Sequence, residues 1–97
     1  MPVVAVFENP TLTQEKYEES VRKVSGGKAR MESPGDWPAD GLLAHIAGEG
    51  QNGFRVVDVW ASQDGFRRFG ETLIPILQEI GVEGEPEVYE THTFVSA

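Results

Sequence analysis

The chain contains no cysteine, so disulfides, thiolate metal sites and cysteine nucleophiles are excluded together. No apolar run approaches the roughly 18 residues of a membrane-spanning helix, and the N-terminus lacks the basic-then-apolar order of a secretory signal. Positive charge is scarce: 8 Lys and Arg stand against 16 Asp and Glu, a net charge of −8. No basic residue lies beyond Arg68, whereas Glu71, Glu79, Glu83, Glu85, Glu87 and Glu90 all do. A field of that sign repels phosphate backbones and anionic headgroups, so neither nucleic acid nor a membrane surface is expected as a partner. Familiar phosphate-loop and hydrolase fingerprints are missing too: there is no GxxxxGK[ST], GxSxG or HExxH. These absences point to a cytoplasmic protein.

What is present suits one globular domain over residues 1–97. The composition is 39% hydrophobic and 25% charged, ordinary for a folded soluble domain. Pro2 to Glu8 is a short β-branched run that reads as a strand. Thr13 caps a helix whose apolar positions Tyr17, Val21 and Val24 recur at helical spacing, with Leu12 and Tyr17 placed as a hydrophobic staple. Ser25-Gly26-Gly27 ends it. Residues 28–40 have no periodicity and read as a long loop, a candidate lid over a site. Gly41 to Glu49 and Phe54 to Ala61 flank Gly50-Gln51-Asn52-Gly53, a hairpin signal in which Asn52-Gly53 is the strongest dipeptide. Ser62 caps a second helix to about Ile80, where Pro75 predicts a kink or two abutting helices and Gly81 the C-terminal stop. Glu87 to Val95 reads as the last strand.

The order β-α-β-β-α-β is the α+β, ferredoxin-like arrangement, with both helices on one face of a four-stranded antiparallel sheet. Two helices cover only one set of alternating positions. The first and third strands are apolar on both faces, so the other face would expose a large patch that soluble monomers rarely tolerate. A two-fold partner covering it with its own sheet is the simplest remedy, and a homodimer is expected.

The polar residues of the hairpin carry the chemistry. With a two-residue loop at Asn52-Gly53, His45 faces Trp60; with a four-residue loop over 50–53, it faces Asp58. Either register puts His45, Asp58 and Trp60 on one side of the sheet, whereas a three- or five-residue loop would turn His45 away. A histidine held by a carboxylate has a fixed tautomer and raised basicity, as a general base requires; the plainer alternative is a polar pair that only satisfies itself. His92 falls on the last strand in phase with Val88, Glu90 and Phe94, beside the same cavity or at the dimer interface. Two histidines on strands that need not be adjacent do not build a His₂-carboxylate metal site, and no metal is expected. Trp37, Trp60, Phe7, Phe66, Phe69, Tyr17 and Tyr89 supply enough aromatic surface to line a pocket for a flat organic ligand, with Phe66 and Phe69 read as core. Trp37 has no periodic reason to be apolar and is the lid candidate. Asn9, before Pro10, would place an amide over the sheet edge, or belong to an ordinary turn.

On these residues the chain resembles the antibiotic-biosynthesis-monooxygenase-like branch of the dimeric α+β barrel proteins. The resemblance is carried by WPADGLLAHIAGEGQNGFRVVDVWASQDGFRRF from Trp37 to Phe69, by LIPILQEIGV from Leu73 to Val82, and by the closing EVYETHTFV. It implies a dimeric α+β barrel and a small-molecule enzyme similar to cofactor-independent monooxygenases acting on aromatic or polyketide-like substrates. The alternatives are a cyclase, isomerase or lyase of the same fold, or a non-catalytic ligand-binding or stress-related dimer. His45 and Asp58 would be catalytic, with Trp60, Trp37, Asn9, Phe7, His92 and Tyr89 around the substrate and no cofactor. The haem-degrading members hold iron with a histidine on the second helix; residues 63–80 contain none, which argues against haem.

Overall fold

The computed structural model describes residues 1–28, 30–33, 36 and 40–95. It orders them as β1 (Val3–Asn9), α1 (Gln14–Ser25), β2 (Leu42–Gly50), β3 (Gly53–Trp60), α2 (Gln63–Glu79) and β4 (Glu87–Glu90). The strands form one antiparallel sheet in the order β2-β3-β1-β4, the ferredoxin-like arrangement expected from the element sequence.

Both helices begin and end where their side chains dictate. The Thr13 hydroxyl accepts the Lys16 amide at 3.2 Å, and the Ser62 hydroxyl accepts the Gly65 amide at 3.1 Å. Each satisfies one of the orphan donors of a first turn. Leu12 packs with Tyr17 as the staple requires. Past α2, Gly81 takes a left-handed φ of +82°; the Val82 amide then reaches the Leu77 carbonyl at 2.9 Å and the Gly81 amide reaches that of Gln78. That is a Schellman closure. Pro75 does not divide α2, which runs unbroken from Gln63 to Glu79. Pro75 and Glu71 are both exposed, so the carbonyl that loses its donor is on the solvent side.

Two expectations shift. The hairpin turn is Gln51-Asn52, closed by Gly50 opposite Gly53, one residue earlier than Asn52-Gly53. No described non-glycine residue has a positive φ; the left-handed demand falls on Gly53, at φ +123°. The last strand stops at Glu90 instead of Val95. The next residue of the ladder would face Pro2, which has no N–H to donate. Thr91 instead sends both its amide and its hydroxyl to the Pro2 carbonyl, at 2.9 and 3.0 Å.

Val3, Trp60, Val21 and Phe69 form one buried cluster under the helices, and Leu12, Phe54 and Val82 form a second at the opposite end. On the other face Val4 and Val59 are only 8% exposed, so its centre is less open than strand alternation suggests, while Ile46 is 63% and Tyr89 50% exposed.

Candidate functional site

Between the two apolar clusters lies a polar row. Ladder pairing sets His45 opposite Asp58 and Asp58 opposite Ala5, on the helix-facing side that Trp60 shares. The register is that of the four-residue alternative, with position 45 facing 58. The pairing skips Leu43, a bulge that carries Leu42 to its place opposite Trp60. The Ala5 methyl leaves open the space beside the Asp58 carboxylate.

His45 Nδ1 lies 2.5 Å from Asp58 Oδ1, and His45 Nε2 lies 2.5 Å from the Tyr17 hydroxyl. A carboxylate only accepts, so the imidazole proton on Nδ1 points to Asp58. A neutral ring then has only Nε2 left to accept, and the Tyr17 hydroxyl donates to it. The three side chains thus form a relay from Asp58 through His45 to Tyr17. The His45 and Asp58 side chains are 13% and 12% exposed. Burial, and secondarily the Asp58 charge, push the Tyr17 phenol up from 10.0 to about 12.

Tyr17 is positioned by three constraints. It stands one turn into α1 against Leu12, its ring lies 4.9 Å from that of Phe54, and its plane is within 14° of the imidazole plane. The Ser20 hydroxyl nearby donates to the Tyr17 carbonyl at 2.7 Å, which holds the helix turn and keeps that hydroxyl out of the relay.

The relay opens on a small cavity of about 90 Å³ whose polar wall is Tyr17, Ser20, His45 and Asp58 and whose apolar wall includes Phe7, Phe66, Leu73 and Leu77. A wider cleft of about 930 Å³, between α2 and residues 83–86, shares Phe7, Asp58, Phe66, Leu73, Leu77 and Pro86 with it. The inner cavity has room for one small group, and the outer cleft has room for a ligand body. A third hollow of about 180 Å³, between Met31–Ser33 and the start of β2, also touches His45.

The predicted site residues separate. His45, Asp58 and Phe7 meet in the cavity. Phe66, read as core, forms part of its wall. Trp60 does not line it: it is fully buried in the core, 5.3 Å from Phe69 by ring centroids, because its position next to Val3 carries it under both helices. Its indole N–H finds no hydrogen-bond partner among the described residues. Asn9 is engaged elsewhere, its side-chain oxygen accepting the Thr11 amide at 2.8 Å and the Thr11 hydroxyl at 2.7 Å in the turn before α1. His92 is exposed beyond the end of β4, and Tyr89 stands on the face away from the helices, opposite Val4. Trp37 lies outside the described residues. The role missed in the sequence is that of Tyr17, whose place in an apolar helix stripe explains its ring but gives no sign of its hydroxyl.

Comparison with protein-family models, with curated proteins and with solved structures finds no match to the chain. Among the described residues no helix is long and apolar enough to cross a membrane.

Proposed function

We propose that the chain is a small-molecule enzyme that abstracts a proton from an aromatic or polyketide-like substrate, with Asp58, His45 and Tyr17 as the proton relay. The observation that carries this reading is the pair of 2.5 Å contacts that place one imidazole between a carboxylate and a phenol at the wall of a cavity. A phenol held near 12 is a poor source of free tyrosinate. A concerted transfer avoids that species: the Tyr17 oxygen takes the substrate proton while its own proton passes to His45 Nε2. The products are a substrate phenolate or enolate and an imidazolium facing Asp58, and Tyr17 stays neutral throughout. Such an anion can give up electrons to O₂, as in the cofactor-independent monooxygenases that the chain resembles, or be reprotonated elsewhere, as in a cyclase or isomerase.

Hydrogen–deuterium exchange into enolisable aryl ketones in D₂O reads the abstraction without knowledge of the product. The intact chain should catalyse exchange, and His45→Ala should lower it by roughly 10²–10⁴-fold, the worth of a positioned general base. An oxygen electrode on the same mixtures separates oxygenation from isomerisation. A folded protein that exchanges none of a broad ketone panel would favour a non-catalytic binding role.

The same reading includes a homodimer through the face bearing Ile46 and Tyr89. Its support is the exposure of those two side chains beside Val6 and Val57 on a sheet face away from the helices. Light scattering should give twice the 10.7 kDa chain mass. The single-chain mass at micromolar concentration would overturn it.

A further inference from the structure

The outer cleft is charged in one sense. Its described wall carries Asp58, Glu71, Glu83 and Glu85 against a single cation, Arg67, one helical turn before Glu71. The three glutamates are exposed and screened, and so tell little alone. Asp58 is different. It is only 9% exposed, and among the described residues only its Oδ1 accepts a hydrogen bond. Its second oxygen accepts none among the described residues, and the residue lines both the cavity and the cleft. A buried carboxylate of this kind favours a ligand that brings a charged donor and penalises one that brings a second anion.

We infer that the cleft takes a cationic amphiphile: a ring body against Phe7, Phe66, Leu73 and Leu77, with a protonated amine donating to the second oxygen of Asp58. The glutamates at the mouth raise its local concentration. The inference rests on the cavity being the ligand site, as the proposed function requires, and adds the charge of the ligand to it.

Naphthylmethylamine, naphthylmethanol and naphthoate present one ring with three charges. They are titrated near neutral pH into the isotope-labelled full chain and followed by amide chemical shifts. The amine should bind about tenfold more tightly than the alcohol, the difference between a charge-assisted and a neutral hydrogen bond, and the naphthoate should be the weakest. The shifts should centre on Phe7, Asp58, Phe66 and Leu77, and Asp58→Asn should bring amine and alcohol within about twofold of each other. Naphthoate binding as well as the amine, shifts centred elsewhere, or no binding by any of the three overturns the inference. If Asp58→Asn does not fold, the ranking on the unaltered chain still decides. The measurement needs no turnover, so a cleft with this ranking but no proton exchange would refute the proposed function alone.

Discussion

Replacing Tyr17 by Phe removes one oxygen from the relay and little else. The ring still fills its place between Leu12 and Phe54, so no cavity opens in the core. The change leaves the Nε2 of the largely buried His45 side chain without the hydroxyl that lies 2.5 Å away. A buried acceptor deprived of its partner costs about 1–3 kcal/mol, and each kcal/mol lowers the melting temperature of a domain of this size by about 4–8 °C. The pH dependence sharpens the test. The Tyr17 phenol is raised from 10.0 to about 12 by burial and by the Asp58 charge, so it binds its proton more tightly folded than unfolded. The stability it contributes is whole below pH 10 and is lost as pH rises from 10 through about 12. The unaltered chain should therefore lose stability over that window, and Tyr17→Phe, with no phenol there, should not lose it on this account. The gap in stability between the two narrows in alkali. The chain has only two tyrosines, Tyr17 and Tyr89, so ultraviolet titration can resolve them. A phenol step near 12 that persists in Tyr17→Phe, or a melting temperature equal to that of the parent near neutral pH, would refute the relay geometry.

Asp58→Asn should lower the Tyr17 ionisation from about 12 by removing the smaller of its two causes, while burial, the larger, still holds it above 10.0; ultraviolet titration reads this directly. Gly53→Ala should destabilise the hairpin by at least about 1–3 kcal/mol from its positive φ alone, because a Cβ there would also lie 2.1 Å from the Asn9 carbonyl oxygen; a urea melt measures the loss. Asp36 is held down from 3.8 to about 2 by Lys28 and by the amides of Glu32 and Ser33, so the stability it lends is present above 3.8 and fades as pH falls through 2. A carboxyl shift titration should find that midpoint, and Lys28→Ala should raise it.

The elements were legible because their signals are local. Thr13, Ser62, Gly26 and Gly81 act within a turn or two of where they stand, and the continuous apolar, β-branched runs of β1 and β3 are written residue by residue. The His45–Asp58 pair was legible for a related reason: a hairpin links sequence separation to sheet register, so a loop of two or four residues put His45 on the side of Asp58 and Trp60. The end of β4 was not legible from its own residues. EVYETHTFV keeps strand-favouring residues through Val95, but a strand needs a partner, and the partner runs out at Pro2.

Trp60 and Tyr17 exchanged the roles that their residue types suggest. Both are aromatic with a polar tip, and both face the layer between sheet and helices. Trp60 sits in the row of Val3, where Val21 and Phe69 close over it from both helices, so its ring becomes core. One row pair further along the same face, Ala5 replaces Val3 as the β1 neighbour and Asp58 replaces Trp60, and the layer there loses the bulk that would fill it. The helices cannot sink into that gap, because Trp60 and Phe69 hold them off at one end and Leu12, Phe54 and Val82 at the other. A polar cavity is the consequence, and Tyr17, on the helix turn above it, turns its hydroxyl to the His45–Asp58 pair. The site thus follows from one small residue between two well-filled clusters. Ala5→Leu should test it by filling the space beside Asp58: the chain should keep its fold, naphthylmethylamine should no longer shift the amides around Phe66, and retained binding at the same residues would show that the ligand never needed that space.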